Sequence, residues 1–189
     1  EDREINKLPS HHLVHLGMSR TFQKNNLFGD LTTEENIHLA LVAKKGYRFN
    51  VFSSLVKHSD IRQETEEILQ QWNLTDRRKK KVKNLSYGEH RLLEVLLALA
   101  SKPKILLLDE PTSGMSPAET QQTSKMIQNL PRSISLLVIE HDMEVVFAIA
   151  DRITVLHHGE VILSGSPEEV SNNEMVKEIY FGGGAKLHA

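Results

Sequence analysis

Short runs of apolar residues alternate with longer amphipathic segments over residues 85–181. The elements expected from this pattern are helix 87–100, strand 104–108, helix 117–129, strand 134–139, helix 142–149, strands 152–157 and 160–164, and helices from 167 to about 180. The aliphatic runs 105–108 and 136–139 are typical of strands buried in a parallel sheet that helices cover on both faces. His158-Gly159 is expected to join the last two strands as a hairpin.

The first 84 residues are more polar and predict mainly helices. A short helix at 10–16 is expected before a strand at 18–23. The segment Thr32-Thr33-Glu34-Glu35 can cap a helix that runs to about residue 43. Residues 46–52 are expected to be a loop, and 61–72 a helix with one buried face. The chain therefore divides into residues 1–30, a mostly helical and more polar part (31–84), a part in which helices and strands alternate (85–181) and a flexible tail (182–189).

Three helices of the C-terminal half are predicted to begin with the same local motif. A serine stands at the N-cap and a glutamate follows three residues later, so that the two side chains can satisfy the first backbone N–H groups of the helix. The pairs are Ser86 with Glu89, Ser116 with Glu119, and Ser166 with Glu169. Proline at the first helical position fits the last two of these starts.

Composition excludes several classes of protein and site. The chain has 189 residues, a formal net charge of -2 and a pI near 6.6, so no global field favours nucleic acid or a membrane surface. Because cysteine is absent, disulfides and cysteine-ligated metals are excluded, which is typical of a cytosolic chain. No apolar run approaches the roughly 20 residues that a membrane-spanning helix needs.

Two carboxylates follow the aliphatic run 105–108. Asp109 and Glu110 would lie at the carboxyl end of a strand, which is where open α/β sheets bind their ligands. Asp109 could hold Mg²⁺ through water, since this hard cation keeps much of its hydration shell, and Glu110 could polarise a water that attacks a γ-phosphate. The alternative is that Asp-Glu-Pro merely ends a strand.

A second candidate site is the turn Leu85-Ser86-Tyr87-Gly88-Glu89. The first N–H groups of a helix attract anions, Gly88 would let the backbone approach a phosphate closely, and the Ser86 hydroxyl could donate to a phosphate oxygen. An ordinary capped helix would also explain the sequence, and both interpretations can hold together.

His141 follows the aliphatic run 136–139 and is the third candidate. An imidazole at this strand end could contact a γ-phosphate and orient Glu110 or its water. A surface histidine at a strand end is the alternative, since the chain has ten histidines.

These motifs, in this order and spacing, resemble those of the ATPase subunits of ABC transporters. The similar segments are Phe22-Gln23, 85–89, 108–111, 113–116 and His141, which look like the Q-loop, signature, Walker B, D-loop and switch histidine. Arg20-Thr21-Phe22-Gln23, the tyrosine of the signature and the closing Ile-Tyr-Phe-Gly resemble the branch that serves branched-chain amino acid and urea importers. The resemblance implies a P-loop NTPase-like (RecA-like) α/β fold, with a mostly parallel sheet, helices on both of its faces and an inserted helical subdomain. On this view residues 1–30 are the end of the N-terminal part of the core, 31–84 are the helical subdomain and 85–181 are the rest of the core.

The resemblance also implies roles for individual residues. Gln23 would sense Mg²⁺ and the attacking water, with Asp109 as the other metal residue, and Glu110 and His141 would be catalytic. The residues implied to contact ATP held by the opposite subunit, or to communicate across the dimer, are Ser86, Tyr87, Gly88, Glu89, Ser113, Gly114 and Ser116.

The implied partners are a second ATPase subunit, membrane-spanning transporter subunits and, indirectly, a substrate-binding protein, but no nucleic acid. Residues 24–31 would form the groove for the membrane subunits. The implied location is the cytoplasmic face of the membrane.

One motif of such ATPases is absent: the 189 residues contain no Gly-x-x-x-x-Gly-Lys-Ser/Thr sequence. The backbone N–H groups of that P-loop are a main source of affinity for phosphates, so we expect the chain alone to bind ATP weakly and to hydrolyse it negligibly. The resemblance places this motif and the first strands upstream, and we expect their loss to leave sheet edges exposed.

Two alternative functions stay open at this stage. The chain could be a soluble ABC-type ATPase without a role in transport, or a non-catalytic fragment that binds a partner. The basic run 77–83 could be a solvated, mobile linker or could contact anionic lipid headgroups. The transported solute cannot be read from this subunit.

Overall fold

The structure, a computed structural model, describes residues 4–21, 27–45 and 59–181. Its helices and strands, in chain order, are α1 Ser10–His15, β1 Met18–Arg20, α2 Thr33–Lys44, α3 Ser59–Gln71, α4 Tyr87–Ala100, β2 Ile105–Asp109, α5 Pro117–Gln128, β3 Ser135–Ile139, α6 Met143–Ile149, β4 Ile153–His157, β5 Glu160–Gly165, α7 Pro167–Asn172 and α8 Glu174–Phe181. The predicted alternation of helices and strands is confirmed. The predicted loop at 46–52 and the end of the predicted strand 18–23 lie outside the described residues.

Three strands form a parallel sheet in the order β1-β2-β3. Met18 pairs with Ile105 at one end, and Asp109 pairs with Ile139 at the other, so the carboxyl ends of β2 and β3 lie side by side. Strands β4 and β5 form a separate antiparallel hairpin, as the sequence predicts. Both turn residues, His158 and Gly159, have positive φ angles of 48° and 83°, as expected for a tight two-residue turn.

Among the described residues, helices cover one face of the parallel sheet, and the predicted helices on its other face stay a prediction. On the covered face, Leu106 and Leu108 are buried against apolar side chains of α4 and α5. The alternate residues point to the opposite face, where Leu137 and Ile139 are each 59% exposed and Ile105 is 38% exposed. The run 105–108 is therefore not wholly buried, because its residues alternate between a packed face and an open one.

Helix α4 is buried on two sides and joins the two larger cores. Leu92, Leu93 and Leu96 pack into a helical core with residues of α2 and α3, including Ile37, Leu41, Ile61 and Leu69. Val95 and Ala98, on another side of α4, pack against the sheet. A third, smaller cluster lies between the β4–β5 hairpin and helices α7 and α8, around Val155 and Val176.

All three predicted capping boxes are present, and Thr32 with Glu35 forms a fourth. In each box the N-cap hydroxyl accepts from the N–H of the glutamate, and the carboxylate accepts from the N-cap N–H. Each such cap stabilises its helix by about 1 kcal/mol. Among the described helices, none combines the length and the apolar character needed to span a bilayer.

Leu106→Ala and Leu137→Ala should differ in their effect on stability, because the two residues lie on opposite faces of the sheet. Leu106 is fully buried, so its truncation should lower the free energy of unfolding by about 2–5 kcal/mol, whereas truncation of Leu137 should cost less than about 1 kcal/mol. Urea denaturation followed by circular dichroism measures both values. Equal losses would show that the Leu137 face is covered in solution.

Candidate functional site

Asp109 is held at the carboxyl end of β2 by the end of β1. The Thr21 hydroxyl, on a side chain that is buried, accepts from the Asp109 N–H at 3.3 Å. One guanidinium nitrogen of Arg20 lies 3.3 Å from Oδ2 of the Asp109 carboxylate. The backbone of Asp109 is thus fixed, and its carboxylate faces a cation on the open face of the sheet.

Glu110, the next residue, adopts a left-handed backbone conformation with φ of 45°. Its N–H donates to the carbonyl of Ile139 at 2.8 Å, which continues the pairing of β2 with β3 by one residue. Such a conformation costs a non-glycine residue about 1–3 kcal/mol and persists only where the surroundings enforce it. It turns the Glu110 side chain out of the strand and leaves its carboxylate about one-third exposed.

His141 lies beside Glu110. Its Nδ1 is 3.5 Å from Oε1 of Glu110 and 3.8 Å from Oε2 of Glu140, and its side chain is 70% exposed. Asp142 then caps helix α6 by accepting from the N–H groups of Glu144 and Val145. The backbone that carries the imidazole is therefore fixed on its C-terminal side, while the ring stays accessible.

Glu140 is a site residue that the sequence analysis did not identify. Its side chain is completely buried, and one carboxylate oxygen accepts from both the N–H and the hydroxyl of Thr112, at 3.0 and 2.6 Å. The other oxygen accepts from the N–H of His141 at 3.2 Å. Glu140 thereby connects the loop after Glu110 to the loop that carries His141. A signal was available, because this carboxylate directly follows the aliphatic run of β3.

The turn that begins α4 is built around Glu89. Its carboxylate accepts from the Ser86 N–H and also contacts Arg77 at 2.6 Å and Lys80 at 3.0 Å. Burial works to raise the pKa of Glu89, but the Ser86 N–H and the two cations outweigh it and lower that pKa to about 2. Glu89 therefore caps its own helix and pairs with two cations of the basic run, Arg77 and Lys80.

The basic run forms short turns rather than an extended linker, while several of its side chains stay exposed to solvent. Residues 75–77 and 82–84 form short 3-10 turns. Most of its cations pair with carboxylates of neighbouring elements: Arg78 with Glu34 and Glu66, Lys79 with Glu34, and Lys83 with Asp30. The run ties the helical core to the start of α4.

The starts of α4 and α5 are in direct contact. A Cβ on Gly88 would overlap the carboxylate of Glu119, and a Cβ on Gly114, whose φ is 75°, would lie 2.8 Å from the ring of Tyr87. The Ser86 hydroxyl donates to Oε1 of Glu119 at 3.2 Å. Gly114 is favoured by both its left-handed backbone and the nearby Tyr87 ring, whereas the space above Gly88 is taken by the movable carboxylate of Glu119.

The segment 110–116 joins the site residues at the ends of β2 and β3 to those at the starts of α4 and α5. The N–H of Ser113 donates to the Glu110 carbonyl at 3.2 Å, and the N–H of Met115 donates to the Thr112 carbonyl at 3.2 Å. Ser116 then caps α5. Gln23 and residues 24–26 lie outside the described residues, so the structure gives no place for this predicted member of the site.

The donors present fit Mg²⁺ only together with a ligand that supplies further oxygens. Asp109 offers a hard carboxylate, yet the described ranges hold no group of three or more residues able to coordinate a metal. Mg²⁺ commonly binds through one or two carboxylates with phosphate oxygens and water, and Asp109 is suited to that arrangement.

Comparisons with known proteins agree on one family. The profile of ABC transporters matches residues 1–113. The chain is 35% identical over 191 residues to the high-affinity branched-chain amino acid transport ATP-binding protein LivG of Escherichia coli, covering 96% of this chain and 74% of LivG. It is 30% identical to the lipopolysaccharide export system ATP-binding protein LptB of Haemophilus influenzae, covering 99% of this chain and 74% of LptB.

Solved structures show the same fold. A nucleotide-free ATP-binding cassette from an ABC transporter superposes with a TM-score of 0.77 at 25% identity, over 96% of this chain and 75% of that one. An ATP-binding cassette in its ADP conformation gives a TM-score of 0.73 at 26% identity, over 90% of this chain and 70% of that one.

Glu89→Gln should lower stability at neutral pH and lose its effect in acid. Because folding depresses the pKa of Glu89 from 4.5 to about 2, its contribution is fully present above about pH 4.5 and disappears as the pH falls towards 2. Urea denaturation of both proteins at several pH values between 2 and 7 measures the difference. A difference that stays constant across this range would contradict the assignment.

Glu140→Gln should loosen the loops that carry Glu110 and His141. A carboxamide can accept from the hydroxyl and N–H of Thr112 but turns an N–H group towards the N–H of His141, so one buried donor loses its acceptor. We expect a loss of about 1–3 kcal/mol in the free energy of unfolding and faster amide exchange at His141. Glu178→Gln, an exposed change on α8, is the control and should alter neither quantity.

Proposed function

This chain belongs to the family of ABC transporter ATP-binding proteins, and from that membership we propose that it energises amino acid import through ATP hydrolysis. The observation that carries the catalytic part is the placement of Glu110 and His141, 3.5 Å apart, at the ends of adjacent parallel strands. The greater identity to LivG than to LptB, 35% against 30%, favours branched-chain amino acids over lipopolysaccharide as the solute.

In the proposed reaction, the Glu110 carboxylate polarises the water that attacks the γ-phosphate of ATP, and His141 orients that water or the phosphate. The left-handed backbone of Glu110 supports this role, because backbone strain of this kind clusters at functional sites. Glu140 is proposed to hold Glu110 and His141 in position relative to each other, through its hydrogen bonds with Thr112 and with the His141 N–H.

Asp109 is proposed to hold Mg²⁺ together with Gln23 and the nucleotide. When bound, the metal would neutralise charge on the phosphates. The ion pair between Arg20 and Asp109 means that this guanidinium and the metal would share the carboxylate.

The remaining predicted residues are proposed to act across a dimer of ATPase subunits. Ser86, Tyr87, Gly88 and Glu89 would contact ATP held by the partner, and Ser113, Gly114 and Ser116 would line the same interface. The contact between the starts of α4 and α5 supports this assignment, because it places the two groups next to each other.

The chain is also proposed to bind membrane-spanning subunits at the cytoplasmic face of the membrane, and through them to serve a substrate-binding protein. Phe28 lies in the segment assigned to this contact and is 59% exposed. Its backbone is fixed by two hydrogen bonds with the buried Asn36, at 2.9 and 3.1 Å. An exposed aromatic side chain on a fixed backbone is suited to contact a partner.

We further propose that this 189-residue chain by itself binds Mg-ATP weakly, since its sequence contains no P-loop. Isothermal titration with Mg-ATP, on a sample whose folding is confirmed by circular dichroism, tests this. Weak or absent binding by the folded chain is expected. Tight binding would show that another segment or a second chain supplies the phosphate contacts.

Glu110→Gln tests the catalytic assignment once a P-loop is supplied. We would fuse a segment that carries a Gly-x-x-x-x-Gly-Lys-Ser/Thr motif ahead of residue 1 and compare steady-state ATP hydrolysis with and without the substitution. The expected result is a loss of turnover of about 100-fold or more with ATP binding retained, because a general base typically contributes that much. Glu178→Gln is the matched control. Unchanged turnover in Glu110→Gln would overturn the role of Glu110.

A further inference from the structure

We propose that Glu119 acts as an internal anion: its carboxylate occupies the phosphate-docking turn at the start of α4, and a phosphate must displace it to bind. This inference rests on the proposed function, which assigns Ser86 and Gly88 to phosphate contact. It adds a positioning residue, on a different helix, that controls access to that turn.

The position of the Glu119 carboxylate carries the inference. Oε1 accepts from the Ser86 hydroxyl at 3.2 Å, across 33 residues of sequence. The same carboxylate fills the space above Gly88, where a Cβ would overlap it. Glu119 therefore uses both features of the turn that are proposed to receive a phosphate: the serine hydroxyl and the open approach over the glycine.

The electrostatics of the turn explain why a carboxylate is stable there. The N-terminus of a helix carries partial positive charge, and its first N–H groups attract anions. The capping box satisfies the N–H groups of Ser86 and Glu89. Among the described residues, the N–H groups of Tyr87 and Gly88 have no acceptor. The positive end of α4 thus faces a negatively charged side chain.

Glu119 stays ionised in this position. The Ser116 N–H and hydroxyl, and after them the Ser86 hydroxyl, hold the pKa of Glu119 below its usual value of 4.5. At neutral pH an approaching phosphate therefore meets a full negative charge beside Ser86. Because two negative charges at this distance repel each other strongly, phosphate binding requires the Glu119 carboxylate to move away from Ser86.

Local capping alone does not account for this arrangement, as an internal comparison shows. Glu169 belongs to a box of the same sequence pattern, Ser-Pro-x-Glu, and accepts from the N–H and hydroxyl of Ser166. Glu119 makes the equivalent bonds to Ser116, at 2.9 and 2.7 Å, entirely through Oε2. Its Oε1 remains available to reach Ser86, and that bond to another helix start is the additional feature.

The arrangement also connects the turn to the loop before α5. One oxygen of Glu119 holds Ser116 and the other holds Ser86. A phosphate that takes the Ser86 hydroxyl would free Oε1 while Oε2 keeps the cap of α5. Each time the turn is occupied, the loop 113–116 would then lose its hydrogen-bonded connection to the start of α4 through Glu119 and would keep only the contact of Gly114 with the Tyr87 ring.

The test is a titration of the full chain with pyrophosphate, followed by the fluorescence of Trp72. This is the only tryptophan of the chain, and it lines the same cavity of about 330 Å³ as Ser86, Gly88 and Glu119. Glu119→Gln removes the negative charge, and glutamine still forms capping boxes. We expect its Kd for pyrophosphate to be at least about fivefold lower than that of the unmodified chain. The matched control is Glu169→Gln, which should bind as the unmodified chain does.

Glu119→Asp provides a second variant in case the glutamine variant folds poorly. It keeps the charge but is one methylene shorter, so it should release Ser86 and give an intermediate Kd. Equal or weaker binding by Glu119→Gln, an equal gain in Glu169→Gln, or no binding by any variant would overturn the inference. Failure of the proposed function is seen separately, in the hydrolysis assay of Glu110→Gln.

Discussion

Burial of helix α4 on two sides is the constraint on which the rest of the structure depends. Leu92, Leu93 and Leu96 belong to the helical core, and Val95 and Ala98 belong to the core under the sheet. A helix packed in this way cannot shift against one core without disturbing the other, because close-packed interiors do not deform continuously. The first turn of α4 therefore has a fixed place relative to Asp109 and Glu110.

Carboxylates do most of the local positioning around the site. Glu89, Glu119 and Glu140 each accept from backbone N–H groups of one loop while contacting a second segment. Bonds of this kind are charge-assisted and stronger than neutral ones, which suits loops that must keep an uncommon backbone conformation. Glu110 has such a conformation, and it lies two residues before Thr112, which Glu140 connects to the His141 loop.

Local sequence patterns predicted the parts of the fold that depend on neighbouring residues. The helix starts at Ser86, Ser116 and Ser166 were predicted because a capping box is a four-residue motif. The turn at His158-Gly159 was predicted for a similar reason. The exposure of Leu137 and Ile139 among the described residues was not predicted, because an aliphatic run has the same sequence pattern whether one face or both faces of the sheet are covered. Glu119 was recognised only as a cap, because its bond to Ser86 spans 33 residues.

The order of strands has a consequence for how the site forms. Among the described elements, only helix α5 lies between β2 and β3 in the sequence, whereas α2, α3 and α4 all lie between β1 and β2. Closing the longer loop costs more chain entropy, so we expect the β2–α5–β3 unit to assemble early and β1 to dock late. Arg20 and Thr21 reach Asp109 only through that last pairing. With this order of assembly, the surroundings of Asp109 would be completed last, when β1 pairs with β2.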